Sequence, residues 1–357
     1  MYIEWLQIKQ VRNLESVQFS PCPRLNFFVG KNASGKTAIL EALFLLSRAR
    51  SFRTPRIQEV IQHKQESLLV YAKLQHERDG GITTGLEKGR GSTNIKFNGN
   101  KIKAVSEQSR SVPLVLLTQD SQTLLTGGPK ERRHWLDWAM FHVEQEYLDT
   151  WKDYMRALRH RNVLLKKGVE KREIYRAWEQ AMVESGGYLL RTRQRFLEEL
   201  SNTVRQLTKE IFPELISIRL STNWPDLQQA GDIYTETWET DLKTGYTRVG
   251  SHNIDVKIHL KNKNIAETFS RGQIKLFVCL LMISQAFVLA ERTGIKPIVL
   301  IDDYMAELDS AACEYLLTVL EKSPFQAFLS NTEHKKNIKN NGLFKLFHVE
   351  RGELNGH

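Results

Sequence analysis

Residues 30–37 read Gly-Lys-Asn-Ala-Ser-Gly-Lys-Thr, a complete GxxxxGK[ST] pattern. Glycines at 30 and 35 allow the backbone to curl so that successive N–H groups converge on phosphate oxygens, and the N-terminus of a following helix adds a favourable dipole. Gly30, Lys31, Asn32, Ala33, Ser34 and Gly35 would form the cradle. Lys36 can reach the β- and γ-phosphates, and Thr37 can ligate Mg²⁺. The apolar run Leu25–Val29 before the loop reads as a buried strand and Ala38–Leu46 after it as a helix, which is the context the pattern requires. The implied ligand is a nucleoside triphosphate, ATP in the first instance.

A second chemical segment is Ile298-Val299-Leu300-Ile301-Asp302-Asp303. Four β-forming residues in a row suit a strand buried on both faces of a parallel sheet. Ligands of such sheets sit at the carboxyl ends of the strands. Asp302 there can hold Mg²⁺ as a Walker B residue does, and Asp303 can orient or activate the attacking water. Phe269-Ser270-Arg271-Gly272-Gln273 resembles the LSGGQ signature of ABC-type ATPases, with Arg271 in place of its first glycine; Ser270 would equally serve as a helix N-cap. Glu307-Leu308-Asp309 matches the D-loop that follows Walker B in those proteins. The order of the four segments is that of an ABC-type head.

The elements that must position these residues fall into three stretches. Residues 1–120 are β-rich, with strands expected at Ile3–Ile8, Leu25–Val29, Leu68–Leu74, Asn94–Asn98 and Leu114–Leu117, and a hairpin turn at Asn98-Gly99-Asn100. Residues 121–250 carry a helical lobe. No proline lies between Pro129 and Pro213, and two or three long helices are expected, broken near Gly168 and Gly186-Gly187. Strands are expected again at Ile216–Leu220 and Ile254–Leu260. Residues 251–357 return to the ATPase lobe through the signature helix, the strands Pro297–Ile301 and Phe325–Leu329, and a helix from about Ser310.

The chain has 357 residues, a formal net charge of +10 and 41% hydrophobic residues. That composition suits a globular protein with an anionic polymer as partner. No run of about 18 apolar residues is present, so no membrane span is expected. Met1-Tyr2-Ile3-Glu4-Trp5 lacks the features of a secretory signal, and Cys22, Cys279 and Cys313 form neither a disulfide framework nor a zinc pattern. The expected location is the cytoplasm.

Roughly 235 residues separate Lys36 from the signature, a spacing that requires an inserted lobe. Leu25–Thr54 (with Glu41-Ala42 and Ser51-Phe52-Arg53-Thr54), Leu125–Trp138 (with Gly127-Gly128-Pro129-Lys130-Glu131-Arg132-Arg133) and Ser270–Leu281 with Ile301–Asp309 resemble the RecF family of bacterial recombinational repair and replication proteins, in order and over essentially the whole chain. The resemblance implies an α/β fold: an ABC/SMC-type P-loop ATPase head with an inserted helical lobe and no long coiled coil. It also implies two ATP molecules between two protomers, and a dimer that binds single-stranded, duplex and gapped DNA. RecR and RecO are the implied partners in directing RecA onto gapped DNA within the SOS response, with slow, switch-like hydrolysis.

Carried onto this chain, the resemblance makes Gly30–Thr37 and Asp302 the nucleotide and Mg²⁺ site and Asp303 the general base. Ser270, Gly272 and Gln273 contact the γ-phosphate of the opposite subunit. Arg12-Asn13 occupies a turn near the nucleotide base. Gln119 falls in the Q-loop region, where it senses Mg²⁺ or water or is an ordinary polar loop residue. Two departures stand out. Gly250-Ser251-His252-Asn253-Ile254-Asp255 replaces a family Gly-Pro-His-basic-x-Asp segment, leaving His252 and Asp255 as functional contacts or as structural hydrogen bonds. Ser330-Asn331-Thr332 stands where transporter ATPases carry a switch histidine, with His334 too late for that role.

Between Lys152 and Arg172 eight Lys/Arg face two Asp/Glu. Arg159, Arg161, Lys166 and Lys167, with Arg132 and Arg133, are candidates for sequence-independent phosphate contacts or form a solvated helix face. Two other functions fit parts of the pattern: an ATPase subunit of a membrane transporter, which would show a shorter spacing to the signature, and a scaffold that binds ATP without turning it over.

Overall fold

The computed structural model describes residues 1–76, 80–224, 230–332 and 344–356. The chain divides into two compact units, Met1–Ser121 with Ser270–His357, and Gln122–Phe269. The second unit therefore extends past residue 250. The strand Ile254–Leu260 pairs antiparallel with Ile216–Thr222, which draws the segment before the signature into the helical unit.

In the first unit, five strands run parallel in the order Phe344–Glu350, Leu25–Val29, Gln326–Asn331, Ile298–Ile301, Leu114–Leu117, with Glu353–Gly356 antiparallel at one edge. The central three are buried at every residue, as continuous apolar runs demand. An antiparallel sheet of Leu14–Phe19, Tyr2–Val11, Ser67–His76, Gly80–Gly89, Thr93–Phe97 and Asn100–Ile102 forms a second layer. The turn at Asn98-Gly99 has positive φ at both residues, as a two-residue hairpin of this type requires.

The helix Lys36–Arg48 packs between these sheets and is buried at every residue but Thr37 and Arg48. A helix that is apolar all round belongs in a core. Each fully buried Leu, Ile or Phe on it contributes about 1.5–3 kcal/mol of transfer free energy. The signature helix, Arg271–Thr293, is likewise apolar on most faces. It is long and apolar enough to cross a membrane by length and composition, but 78% of its most apolar window is buried within the protein, which makes it a core helix.

The second unit is built on the helices Pro129–Val143, Tyr147–Lys166 and Arg176–Thr208. Gly168 follows the second helix with φ +62, as expected of a terminating glycine. Gly186-Gly187 does not break the third, which runs unbroken for 33 residues. Here glycine serves packing: a Cβ at Gly186 would lie 2.7 Å from the Trp224 ring and 3.0 Å from that of Tyr154. Gly186→Ala should therefore overpack this contact and destabilise the protein by about 1–3 kcal/mol despite alanine's better helix propensity. Urea denaturation checks this; a gain in stability would show that the two rings yield freely.

Candidate nucleotide site

The phosphate loop leaves the sheet at Val29 and enters the helix at Lys36. Gly30 has no space for a side chain, since a Cβ there would sit 2.2 Å from the Val349 carbonyl oxygen. Gly35 has φ +122, which disfavours any L side chain. The Lys36 ammonium folds over the loop, donating to the carbonyls of Gly30 (2.6 Å) and Lys31 (2.8 Å). Burial lowers its pKa from the ordinary 10.5, and the carboxylates of Asp303 and Asp302 oppose that shift.

The sheet register brings the second chemical segment alongside. Ile301 pairs with both Leu329 and Leu117, and Leu329 pairs with Phe27, so the carboxyl ends of these strands align. Asp302 Oδ1 accepts from Thr37 Oγ1 (3.1 Å) and from Ser330 Oγ (2.6 Å). Ser330 Oγ in turn accepts from the backbone N–H of Asp303 (2.8 Å). Asp303 itself has φ +52. The Gln119 side-chain amide lies 3.5 Å from Asp303 Oδ2. Lys36, Thr37, Gln119, Asp302, Asp303 and Ser330 line one cavity of about 450 Å³. Of the Ser330-Asn331-Thr332 segment, Ser330 bonds to Asp302, and Thr332 also lines the cavity; His334 lies outside the described residues.

Arg12 and Asn13 flank the loop on its other side. Arg12 clamps Glu41 with two parallel bonds (2.8 and 2.9 Å) and donates to the Glu59 carbonyl. Its pKa is raised, chiefly by the hydrogen bond to Glu41. Asn13 donates to the Ser34 carbonyl (3.1 Å). Both line a second cavity against Ser34–Ala38. Arg53, quoted above only within a family stretch, lines both cavities. Glu41 is likewise named only within that stretch, and Gly352 carries no signal in the sequence. Glu41 is wholly buried and accepts from Arg12 and Ser51. The Gly352 N–H donates to the Ser34 carbonyl at 2.8 Å.

The residues fit a nucleoside triphosphate and Mg²⁺. Ser34 Oγ is buried without a hydrogen-bond partner among the described residues and stands ready to donate to a phosphate oxygen. Thr37 and Asp302 converge on one another with oxygens alone, the donor set a hard cation prefers.

The signature residues do not join this cavity. Ser270 caps its helix in a reciprocal capping box with Gln273, at 3.3 and 2.9 Å. Gly272 lies against the Glu307 carbonyl, where a Cβ would approach to 3.1 Å. Ser270 and Gln273 are exposed. Lys275, one turn on, is buried and donates to the carbonyls of Asp303 and Ala306, tying the signature helix to the end of the Walker B strand.

The candidate DNA residues divide. Arg161 is fully buried, bonded to Glu179 (3.0 Å), Asp241 (2.8 Å) and Thr247 (2.7 Å), and so is a structural ion-pair centre with no surface to offer a phosphate. Arg132 is turned inward onto both carboxylate oxygens of Asp255 and the carbonyls of Leu124 and Gly127. Arg133 donates to the Ile254 carbonyl. Arg159, Lys166 and Lys167 are exposed. His252 bridges Tyr154 Oη (2.7 Å) and the Thr247 carbonyl (3.1 Å), and burial lowers its pKa; it is a structural tie.

These features define an ABC-type ATPase head, with Walker A and Walker B assembled in one cavity and the signature presented elsewhere. The RecF/RecN/SMC N-terminal domain matches residues 2–355. The DNA replication and repair protein RecF of Vibrio vulnificus (strain CMCP6) is 33% identical over 99% of both chains, and that of Nitrosococcus oceani is 35% identical with the same coverage. The chain belongs to the RecF family. A solved structure of the recombination mediator protein RecF with ATP, from the RecFOR pathway, superposes with a TM-score of 0.87 at 28% identity, covering 100% of this chain and 97% of that one. An SMC head bound to the C-terminal winged-helix domain of ScpA shares the fold at a TM-score of 0.57 and 16% identity, covering the same shares of each chain.

Asp255 gives a test of the inward-facing arginine. Burial opposes its ionisation, but Arg132 and Lys257 prevail and hold its pKa below the usual 3.8. A carboxylate depressed in the folded state contributes stability above its unfolded pKa and loses it as pH falls through the folded value. Asp255→Asn should cost about 1–3 kcal/mol at pH 7, because it leaves the Arg132 fork poorly paired. The difference from wild type should close as the pH is taken below 3.8. Denaturant titrations across pH check it; a pH-independent difference would mean that side-chain shape, not charge, is at work.

Proposed function

We propose that the protein is an ATP-switched DNA-binding factor of recombinational repair and replication. Two protomers close on two ATP molecules, and the closed dimer holds single-stranded, duplex or gapped DNA. In the cytoplasm it acts with RecR and RecO to direct RecA onto gapped DNA during the SOS response. The observation that carries this reading is the separation within one chain of the Asp302–Thr37–Ser330 cluster from the exposed Ser270–Gln273 terminus. A signature helix whose capped N-terminus faces outward is ready to meet a γ-phosphate held by another protomer.

Within the closed site, Lys36 and the loop N–H groups hold the β- and γ-phosphates, and Ser34 Oγ adds a donor. Mg²⁺, held by Thr37 and Asp302, would neutralise phosphate charge. Asp303 accepts a proton from water, and Gln119 orients its carboxylate. With Asp303 in a strained conformer and the signature supplied only in the dimer, turnover is slow and serves as a switch. The γ-phosphate contributes its contacts only in the closed state, which makes the dimer the bistable element.

Sedimentation with and without ATP tests the arrangement. Asp303→Asn should bind ATP as wild type does and accumulate as a long-lived dimer; a variant that stays monomeric with ATP bound would defeat the assignment. Ser270→Arg should retain ATP binding yet remain monomeric, because a long cation replaces the cap where the opposite phosphate would seat. Wild-type-like dimerisation of that variant would remove the signature from the interface.

A further inference from the structure

The second unit contains a cavity that the nucleotide chemistry does not use. It measures about 570 Å³ and is lined chiefly by Arg133, Asn223, Tyr246, Arg248, His252 and Asn253, with no carboxylate among its lining residues. Its size lies within the range that accommodates small organic groups. Arg248 is half-exposed, with side-chain exposure of 43%, and its only ion pair among the described residues is a long one, 3.6 Å to Asp241. Arg133 uses one guanidinium nitrogen on the Ile254 carbonyl. Tyr246 is 51% exposed on a loop that is otherwise tightly held.

The loop is built rather than loose. Asn223 and Asn253 both donate to the Arg248 carbonyl, at 3.1 and 2.9 Å. Thr247 donates through its N–H and its hydroxyl to Asn162 and accepts from the buried Arg161. Gly250, at φ +151, lies so close to Tyr154 that a Cβ would approach its hydroxyl to 2.4 Å. The backbone of residues 247–253 is thus fixed, while the side chains of Tyr246 and Arg248 are left toward solvent. Lys166 adjoins this loop, its Cγ 3.6 Å from where a Cβ on Gly245 would be. Exposed Lys166 therefore adds positive charge beside the loop.

We propose that this cavity binds an unpaired nucleotide of single-stranded DNA, with its phosphate between Arg133 and Arg248 and its base stacked on Tyr246. The assignment rests on the DNA-binding reading above and narrows it to a place and a strand state. Arg133, with no carboxylate partner among the described residues, and Arg248, whose one ion pair there is the long contact to Asp241, keep guanidinium donors for a phosphate. An exposed ring at the edge of a concave site selects an unstacked base, which a duplex does not present. Asn223 and Asn253 fix the loop through the Arg248 carbonyl and so hold the site in register before the strand arrives.

The test is fluorescence anisotropy of the full chain with ATP, using labelled polythymidylate and a duplex of equal length across a salt series. Tyr246→Ala should weaken single-strand binding roughly 5- to 140-fold, the loss of one base stack. Tyr246→Phe should bind as wild type does, and duplex affinity should be unchanged in both. Arg248→Ala should weaken single-strand binding and lower its salt slope by about 0.7, one phosphate. Thermal melts of each variant matching wild type exclude unfolding as the cause, and a variant that melts early is replaced by Tyr246→Leu or Arg248→Gln. Wild-type single-strand affinity in both alanine variants overturns the site. Equal losses on single strand and duplex overturn the strand assignment. A wild-type protein that binds neither DNA overturns the proposed function itself, a result distinguishable from the other two.

Discussion

One carboxylate oxygen gathers the chemical centre of the molecule. Asp302 Oδ1 accepts from Thr37, 265 residues earlier, and from Ser330 at the end of the adjoining strand. This convergence depends on register. A one-residue slip of any of the parallel strands would turn its side chains to the other face and take Asp302 or Ser330 out of reach. The buried, largely apolar strands Leu25–Val29, Ile298–Ile301 and Gln326–Asn331 hold that register because each must bury both of its faces. Ser330 then passes the constraint on by accepting from the Asp303 N–H, which helps to hold Asp303 in the left-handed region. Such a conformer costs on the order of 1–3 kcal/mol and persists only where surrounding bonds dictate it.

The phosphate loop is also braced from outside the sheet. The Gly352 N–H bonds to the Ser34 carbonyl, and Gly352 lies so near the Asn13 carbonyl that a Cβ would approach it to 2.2 Å. Asn13 reaches the same Ser34 carbonyl from the other hairpin. Two turns that are more than 300 residues apart in sequence therefore fix a loop whose own glycines leave it conformationally free. Preorganisation of this kind places the loop N–H groups before ligand arrives, which is where their catalytic value lies.

How much of this could be read beforehand follows the range of the interactions. The phosphate loop and the Walker B strand were legible because each is a local pattern with its own strand or helix attached. Ser330 was visible only as a polar residue at the switch position, since its bond to Asp302 is a product of strand order. The strand Gly80–Gly89, rich in Gly and Thr, and the edge strand Leu14–Phe19 gave weak local signals and owe their conformation to pairing within the antiparallel sheet. Gly186-Gly187 read as a helix breaker because propensity is local, whereas the contact that requires glycine there is with Trp224 and Tyr154. Arg161 read as a DNA contact because a basic run looks alike whether it faces water or core; only Glu179 and Asp241, remote in sequence, decide the matter.

The burial of Arg161 and Arg193 bears on how the protein meets an anion. Each is taken out of solvent together with carboxylates, Arg161 with Glu179 and Asp241, and Arg193 with Asp137. These two arginines are taken up by three carboxylates, so they add nothing to the surface excess, and the net positive charge of the chain resides on other groups. A surface excess of that sign attracts any polyanion, without choosing among them, and does so less as salt rises. Selection has to come from places where cations on a fixed backbone keep donors that their own carboxylates leave unused. The second unit creates such a place by using its buried ion pairs as scaffolding: Arg161 fixes Thr247, Thr247 holds the adjoining loop, and the loop presents Arg248 and Tyr246. At the proposed site, the buried arginine would act on a ligand only through the position it imposes on its exposed neighbours.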